Sequence, residues 1–155
     1  MNEKPLAKND DIELFIDDIS SDGEGIGHYK DYAVFVAGAL DGETVKAHII
    51  KVKSHYAIAK VIAVLKPSPF RVESLCPIAK QCGGCQLQFI SYEHEIDLKK
   101  KHIVNALTRI GGFSHLPEFN VVFEPNWQHY RNKAQIPVSS DQEGIKAGFF
   151  ALHSH

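Results

Sequence analysis

The chain has 155 residues, 44% hydrophobic and 23% charged, with a formal net charge of −2. That balance is ordinary for a globular protein and points to neither disorder nor a membrane protein, and the length allows one or two small domains with a buried core. Charge is unevenly placed: residues 1–45 carry 3 Lys or Arg against 11 Asp or Glu, and residues 46–155 carry 14 against 8. Such a split is compatible with a local basic face, and equally with solvated surfaces on two subdomains.

Residues 1–10 read as a polar arm without the apolar core of a secretory signal. From Ile12 the pattern has a period of two, with Ile12, Leu14 and Ile16 alternating against Glu13, Phe15 and Asp17. Residues 20–27, with three glycines, read as turns that permit a bulge or a close backbone approach. Apolar runs follow at 32–36, at 43–53 (Val45, Ala47 and Ile49 against Thr44, Lys46 and His48) and at 56–65. The last is interrupted by Lys60 and is too short to cross a bilayer. Short strands at this spacing predict a small β-barrel. Lys66-Pro67-Ser68-Pro69 then breaks the pattern, which places a domain boundary after residue 66.

Residues 76–85 read Cys-Pro-Ile-Ala-Lys-Gln-Cys-Gly-Gly-Cys and hold all 3 cysteines of the chain. With a cytoplasmic location expected, clustered thiols are more often metal ligands than disulfides. Three readings stay open. Cys76, Cys82 and Cys85 could hold an iron–sulfur cluster with a fourth ligand from elsewhere, or a zinc ion completed by a histidine, or be plain structural residues.

One helix is predicted over residues 91–110, with Ser91 as N-cap, Glu93, Glu95 and Asp97 near its positive end, and Gly111-Gly112 as its stop. Its apolar face is read as Tyr92, Ile96, Ile103, Leu107 and Ile110. Lys99, Lys100 and Lys101 are read as a solvated face. His94 and His102 lie two turns apart, too wide for a chelating pair. Strand-like segments return at 120–123, 130–138 and 145–152, the last two joined by a hairpin link at 139–144. The fold class is mostly β with one main helix (α+β).

The motif Cys-Pro-x4-Cys-Gly-Gly-Cys, after a small barrel, resembles the iron–sulfur members of the bacterial 23S ribosomal RNA (uracil-C5)-methyltransferases. The resemblance covers nearly the whole chain. Asp22-Gly23-Glu24-Gly25-Ile26-Gly27, Tyr32-Ala33-Val34-Phe35-Val36 and Gly42-Glu43-Thr44-Val45 look like pieces of that family's N-terminal TRAM domain, an OB-like RNA-binding barrel. Tyr130-Arg131-Asn132-Lys133-Ala134-Gln135, Gly148-Phe149 and Ser154-His155 are similar to its central domain.

The resemblance implies a TRAM barrel over 1–66 and part of a central domain over 67–155. It also implies a [4Fe–4S] cluster on Cys76, Cys82 and Cys85 with its fourth ligand beyond His155, and ribosomal RNA as partner. In such enzymes a thiolate adds to uracil C6, and C5 then takes the methyl group of S-adenosylmethionine. The target base must leave its stack. Catalytic and cofactor-binding residues are expected on a downstream domain and none in this chain, which looks like an inactive N-terminal fragment. Within it, Arg131 and Lys133, two apart on a strand, are candidate phosphate contacts and Tyr130 a candidate stacking surface. Lys46, Lys51 and Lys53 are weaker candidates on the barrel. The alternative is a non-enzymatic RNA-binding module with a structural zinc site; no membrane or protein partner is indicated.

Overall fold

A computed structural model of the chain describes residues 5–151. They form two compact units: the chain up to Glu73 with Gln86–Leu98, and Ser74–Cys85 with the chain from Lys99 onward.

The first unit is built on strands β1 (Asp11–Phe15), β2 (Asp18–Ile19), β3 (Gly25–Tyr29), β4 (Tyr32–Ala37), β5 (Thr44–Val52) and β6 (Tyr56–Lys66). Their order in the sheet is β1-β5-β6-β4-β3-β2. All pairs are antiparallel except β4 with β6. β1 and β2 stand at opposite edges of the sheet, yet they are successive parts of one bent run. Ile16 N donates to Glu43 O at 2.9 Å, and Asp17 N donates to Ile26 O at 2.8 Å. The run therefore passes from one edge to the other, and the sheet closes into the expected OB-like barrel. Three irregularities in the β5–β6 pairing, at Thr44/Val45, Lys46/Ala47 and Ile49/Lys51, supply the bending that so small a barrel needs.

The alternation read from the sequence sets the inward face. Ile12, Leu14, Ile16, Val34, Val36, Val45, Ala47, Ile49, Ala57 and Ala59 form one buried cluster. One part of the reading needs correction: residues 25–27, taken as the end of a turn segment, belong to strand β3. Its glycines allow the closure. A Cβ on Gly27 would stand 2.3 Å from the carbonyl oxygen of Phe15, so only hydrogen fits where β3 crosses β1.

Lys66 is the last residue of β6, as the prolines require. The chain after it stays on the barrel. Ser68 is buried, and its N–H donates to Glu43 Oε1 at 3.3 Å. Val72 N–H donates to Phe89 O, and Ser91 N–H to Phe70 O. Ile19, Leu40, Ile90 and Leu98 close a second buried cluster over this segment. Helix α1 (Tyr92–Asn105) begins here, with Ser91 Oγ accepting from His94 N at 3.4 Å and Ser91 O accepting from Glu95 N at 3.0 Å. Its buried residues are His94 and Leu98, not the stripe read from the sequence; Ile103 is 51% and Ile110 88% exposed. Residues Ala106–Ile110 widen into a π turn that ends where Gly111 N–H donates to Ala106 O.

In the second unit the only strands among the described residues are β7 (Val138–Asp141) and β8 (Gly144–Ala147), an antiparallel hairpin. The strands expected at 120–123 and 130–138 are absent apart from Val138. No neighbouring strand offers them a ladder, and unpaired backbone gains nothing from extended pairing geometry. The expected segment 145–152 is strand only to Ala147. Farther on, Ala151 bridges Cys82 and Gly83 N–H donates to Phe150 O at 2.9 Å. Leu152, His153, Ser154 and His155 lie outside the described residues.

Candidate nucleic-acid interface

The outer face of the barrel follows from register. Where inward residues alternate, their neighbours must point out, and the pairings put those neighbours in rows. One row runs Ile26–Phe35–Ile58–Lys51 across β3, β4, β6 and β5. A second runs His28–Ala33–Tyr56, and a third runs Ala37–Lys60–His48–Asp11. The Phe35 and Tyr56 rings meet edge to face, centroids 5.4 Å apart and planes at 80°. Tyr56 is more than a third exposed. Lys53 joins the second row from its end, its N–H donating to Tyr56 O at 2.8 Å. Two carboxylates border the face, each engaged with an imidazole: Asp17 with His28 at 3.0 Å and Asp11 with His48 at 2.7 Å. The hydrogen bond from His48 holds the Asp11 carboxyl below its ordinary value of 3.8, with Lys46 adding to the effect.

Of the barrel lysines singled out from sequence, Lys51 and Lys53 flank this face. Lys46 lies beside Asp11, Nζ to Oδ2 3.7 Å. Phe35, Tyr56 and Lys60, which the sequence reading did not single out, share the outward register that their spacing (33/35/37 and 56/58/60) sets.

In the second unit Arg131 and Lys133 line one open hollow of about 420 Å³ together with Ala134, Gln135 and Phe149. They do so from an irregular stretch, not from the strand expected for them. Tyr130 is 70% exposed, with the Arg131 guanidinium 5.9 Å from its ring centre. Two cations, the Gln135 amide and the Phe149 ring about one hollow, with the Tyr130 ring beside Arg131, can engage a phosphate and a flat base.

The cysteine loop is tightly turned. Ala79 N–H donates to Cys76 O, and Gln81 and Cys82 N–H both donate to Ile78 O. Gly84 N–H points at Cys82 Sγ, 3.4 Å away. Cys76 and Cys82 are half-buried and Cys85 is exposed, and all three are thiols. In kind they suit a metal centre. In position they are not drawn into one: among the described residues no three Cys, His, Asp or Glu are gathered to hold a metal ion.

Residues 8–62 match the family model described as the TRAM domain. The chain is 40% identical to a protein of Halalkalibacterium halodurans over 97% of its own length and 33% of that protein's. It is 41% identical to one of Clostridium acetobutylicum, again over 97% and 33%, and 38% identical to one of Synechocystis, over 93% and 31%. Each of these is named an uncharacterized RNA methyltransferase. The chain thus spans about a third of the length of the curated relatives it matches. A solved structure, of a conserved protein of Methanococcus maripaludis, is 27% identical, covering 40% of this chain and 89% of that one with a TM-score of 0.38. Among the described residues no helix is long and apolar enough to cross a membrane.

Proposed function

We infer that a chain similar along nearly its whole length to proteins named RNA methyltransferases is the RNA-gripping part of such an enzyme. That similarity carries the reading. The barrel of residues 8–62 and the hollow at Arg131 and Lys133 are its RNA contacts; Tyr130 adds a stacking ring. The reaction is methylation of uracil C5 in 23S ribosomal RNA from S-adenosylmethionine, performed by residues that this sequence does not include, in the cytoplasm.

Cys76, Cys82 and Cys85 serve as three ligands of a [4Fe–4S] cluster, the fourth coming from outside the described residues. The donor set, the Pro77 and Gly83-Gly84 turns and the amide on Cys82 Sγ support this assignment. Assembly requires the loop to draw its sulfurs together. Its role is structural, holding the loop rather than transferring the methyl group.

The test is methyl transfer from labelled S-adenosylmethionine to uridine-containing 23S ribosomal RNA segments. A protein of the relatives' length should yield 5-methyluridine, and the 155-residue chain none. Methylation of another base or of tRNA alone would overturn the substrate assignment. Metal analysis of the longer protein prepared without oxygen should find iron and sulfide; stoichiometric zinc without iron would overturn the cluster.

A further inference from the structure

We propose that one face of the β7–β8 hairpin is an interface inside the longer protein, covered by apolar polypeptide that the relatives have and these 155 residues do not. This goes beyond the RNA-binding reading above and uses none of its contacts.

The register divides the hairpin into two unlike faces. Val138 pairs with Ala147 and Ser140 with Ile145, and directly opposed residues share a face, so these side chains lie together. Gly148 N–H donates to Pro137 O at 3.1 Å, which carries the register one step past the strands and sets Ile136 on the same face. The other face holds Ser139, Asp141 and Lys146. There Lys146 Nζ reaches Asp141 Oδ2 and, in the turn, Glu143 Oε2 at 2.9 Å, so the charges answer one another away from the apolar side. Division of this kind belongs to a sheet with one face on a core and the other in water. Here the apolar side stands in water: Val138 is 68% and Ile145 82% exposed. A two-stranded hairpin is marginal by itself and is secured by packing one face.

Three occupants differ in what they require. RNA requires cations, and the hairpin's lysine, Lys146, is on the far face and paired. A second copy would have to be held by Ile136, Val138, Ile145 and Ala147 on each side, where a stable dimer engages roughly 20–30 residues a side. Joining two free molecules costs more than so small a patch returns. Polypeptide of the same chain is already tethered, and a small apolar patch is then enough to hold it. The matched region makes up 33% of the Halalkalibacterium halodurans relative, so a protein of that length has chain to supply.

The experiment labels the 155-residue chain and a protein of the relatives' length with a photoactivated diazirine, and reads each site by mass spectrometry. Val138 and Ile145 should be labelled in the shorter chain and protected in the longer one, with Glu143 labelled alike in both. In the longer protein Ile145→Asp should restore labelling at Val138, because an unpaired carboxylate resists burial. Lys146→Gln, on the charged face, should not. Val138 and Ile145 labelled equally in the two wild-type proteins would overturn the proposal whether or not the aspartate variant folds. So would protection in the shorter chain that grows with its concentration, which would seat a second copy on the face, or protection there by added RNA. Methyl transfer to RNA is not read in any of these arms, so the proposal and the RNA-binding reading fail separately.

Discussion

Arg71 grips the fully buried carboxylate of Glu43 with two donors: Nε reaches Oε1, and Nη2 reaches Oε2 at 2.8 Å. The same Nη2 also donates to Gly38 O at 2.8 Å, and the guanidinium lies 4.6 Å from the Phe89 ring centre. Glu43 takes two further bonds, from Leu40 N and Ser68 N. A single carboxylate thus ties the β4–β5 turn to the chain that leaves the barrel. Close by, His94 stacks on Phe70 with centroids 4.1 Å apart and bonds Asp41 at 2.8 Å. These contacts hold residues 68–73 and 86–98 against the barrel.

Arg71→Ala leaves the Glu43 charge buried without its partner. Loss of one member of a buried pair costs roughly 3–5 kcal/mol. The Arg71 side chain is 23% exposed, so water reaches the pair and the lower end, about 3 kcal/mol, is expected in urea denaturation. Glu43→Gln should cost less than Arg71→Ala, because the amide oxygen still accepts from Leu40 N. In either variant hydrogen exchange at Val72 and Ser91 should speed up, reporting release of the segment.

Gly27→Ala and Gly38→Ala should differ sharply. At Gly27 the new Cβ would meet the Phe15 carbonyl at 2.3 Å and Leu14 at 2.8 Å, so the barrel seam must open. A loss of about 3 kcal/mol or more is expected. Gly38 has φ +83° with nothing within 4 Å of its Cβ, so only the left-handed backbone is penalised, by about 1–2 kcal/mol. Thermal melts of the two variants check the contrast.

Asp11 has a lowered carboxyl pKa, chiefly through the hydrogen bond from His48. A group lowered in the folded state favours folding fully above its ordinary value of 3.8, and loses that contribution as pH falls through the lowered value. A carboxyl NMR titration should therefore put the Asp11 midpoint below 3.8. His48→Ala should move it upward more than Lys46→Ala does. Equal effects would mean that general charge, not this bond, sets it.

The barrel was legible in the sequence because its inward residues alternate without a break, and an outward neighbour is then fixed by geometry. Ile12, Leu14, Val45, Ala47 and Ile49 all fall where the pattern puts them. Strand β3 was hidden because glycine, which reads as a turn former, is required there for steric fit beside Phe15. The burial of Glu43 was hidden because an acidic residue at the head of a strand looks solvated until Arg71, 28 positions later, is brought to it. The helix was found from its cap and charges, but its buried face was not. His94 is buried by an aromatic stack and an ion pair, so hydrophobicity gave no sign of it. Arg131 and Lys133 were singled out by resemblance. The structure seats them on one hollow without the strand that was expected to align them.

Arg131→Gln and Lys133→Gln test the hollow of the second unit as a phosphate site. Both residues are wholly on the exposed surface, so neither change should alter stability by more than about 0.5 kcal/mol. If each cation meets one phosphate of a single strand, each substitution lowers the salt slope of RNA binding by about 0.7, and the double variant by about 1.4. The loss should be uniform across sequences, since phosphates carry no base identity. Tyr130→Leu should behave differently, weakening binding with no change in salt slope, because a stacking ring releases no counterion. It also removes the ring 5.9 Å from the Arg131 guanidinium, so combined with Arg131→Gln it should cost less than the two changes separately. Full additivity would mean that the tyrosine and the arginine act on RNA independently, and an unchanged slope in the double variant would remove the hollow from the interface.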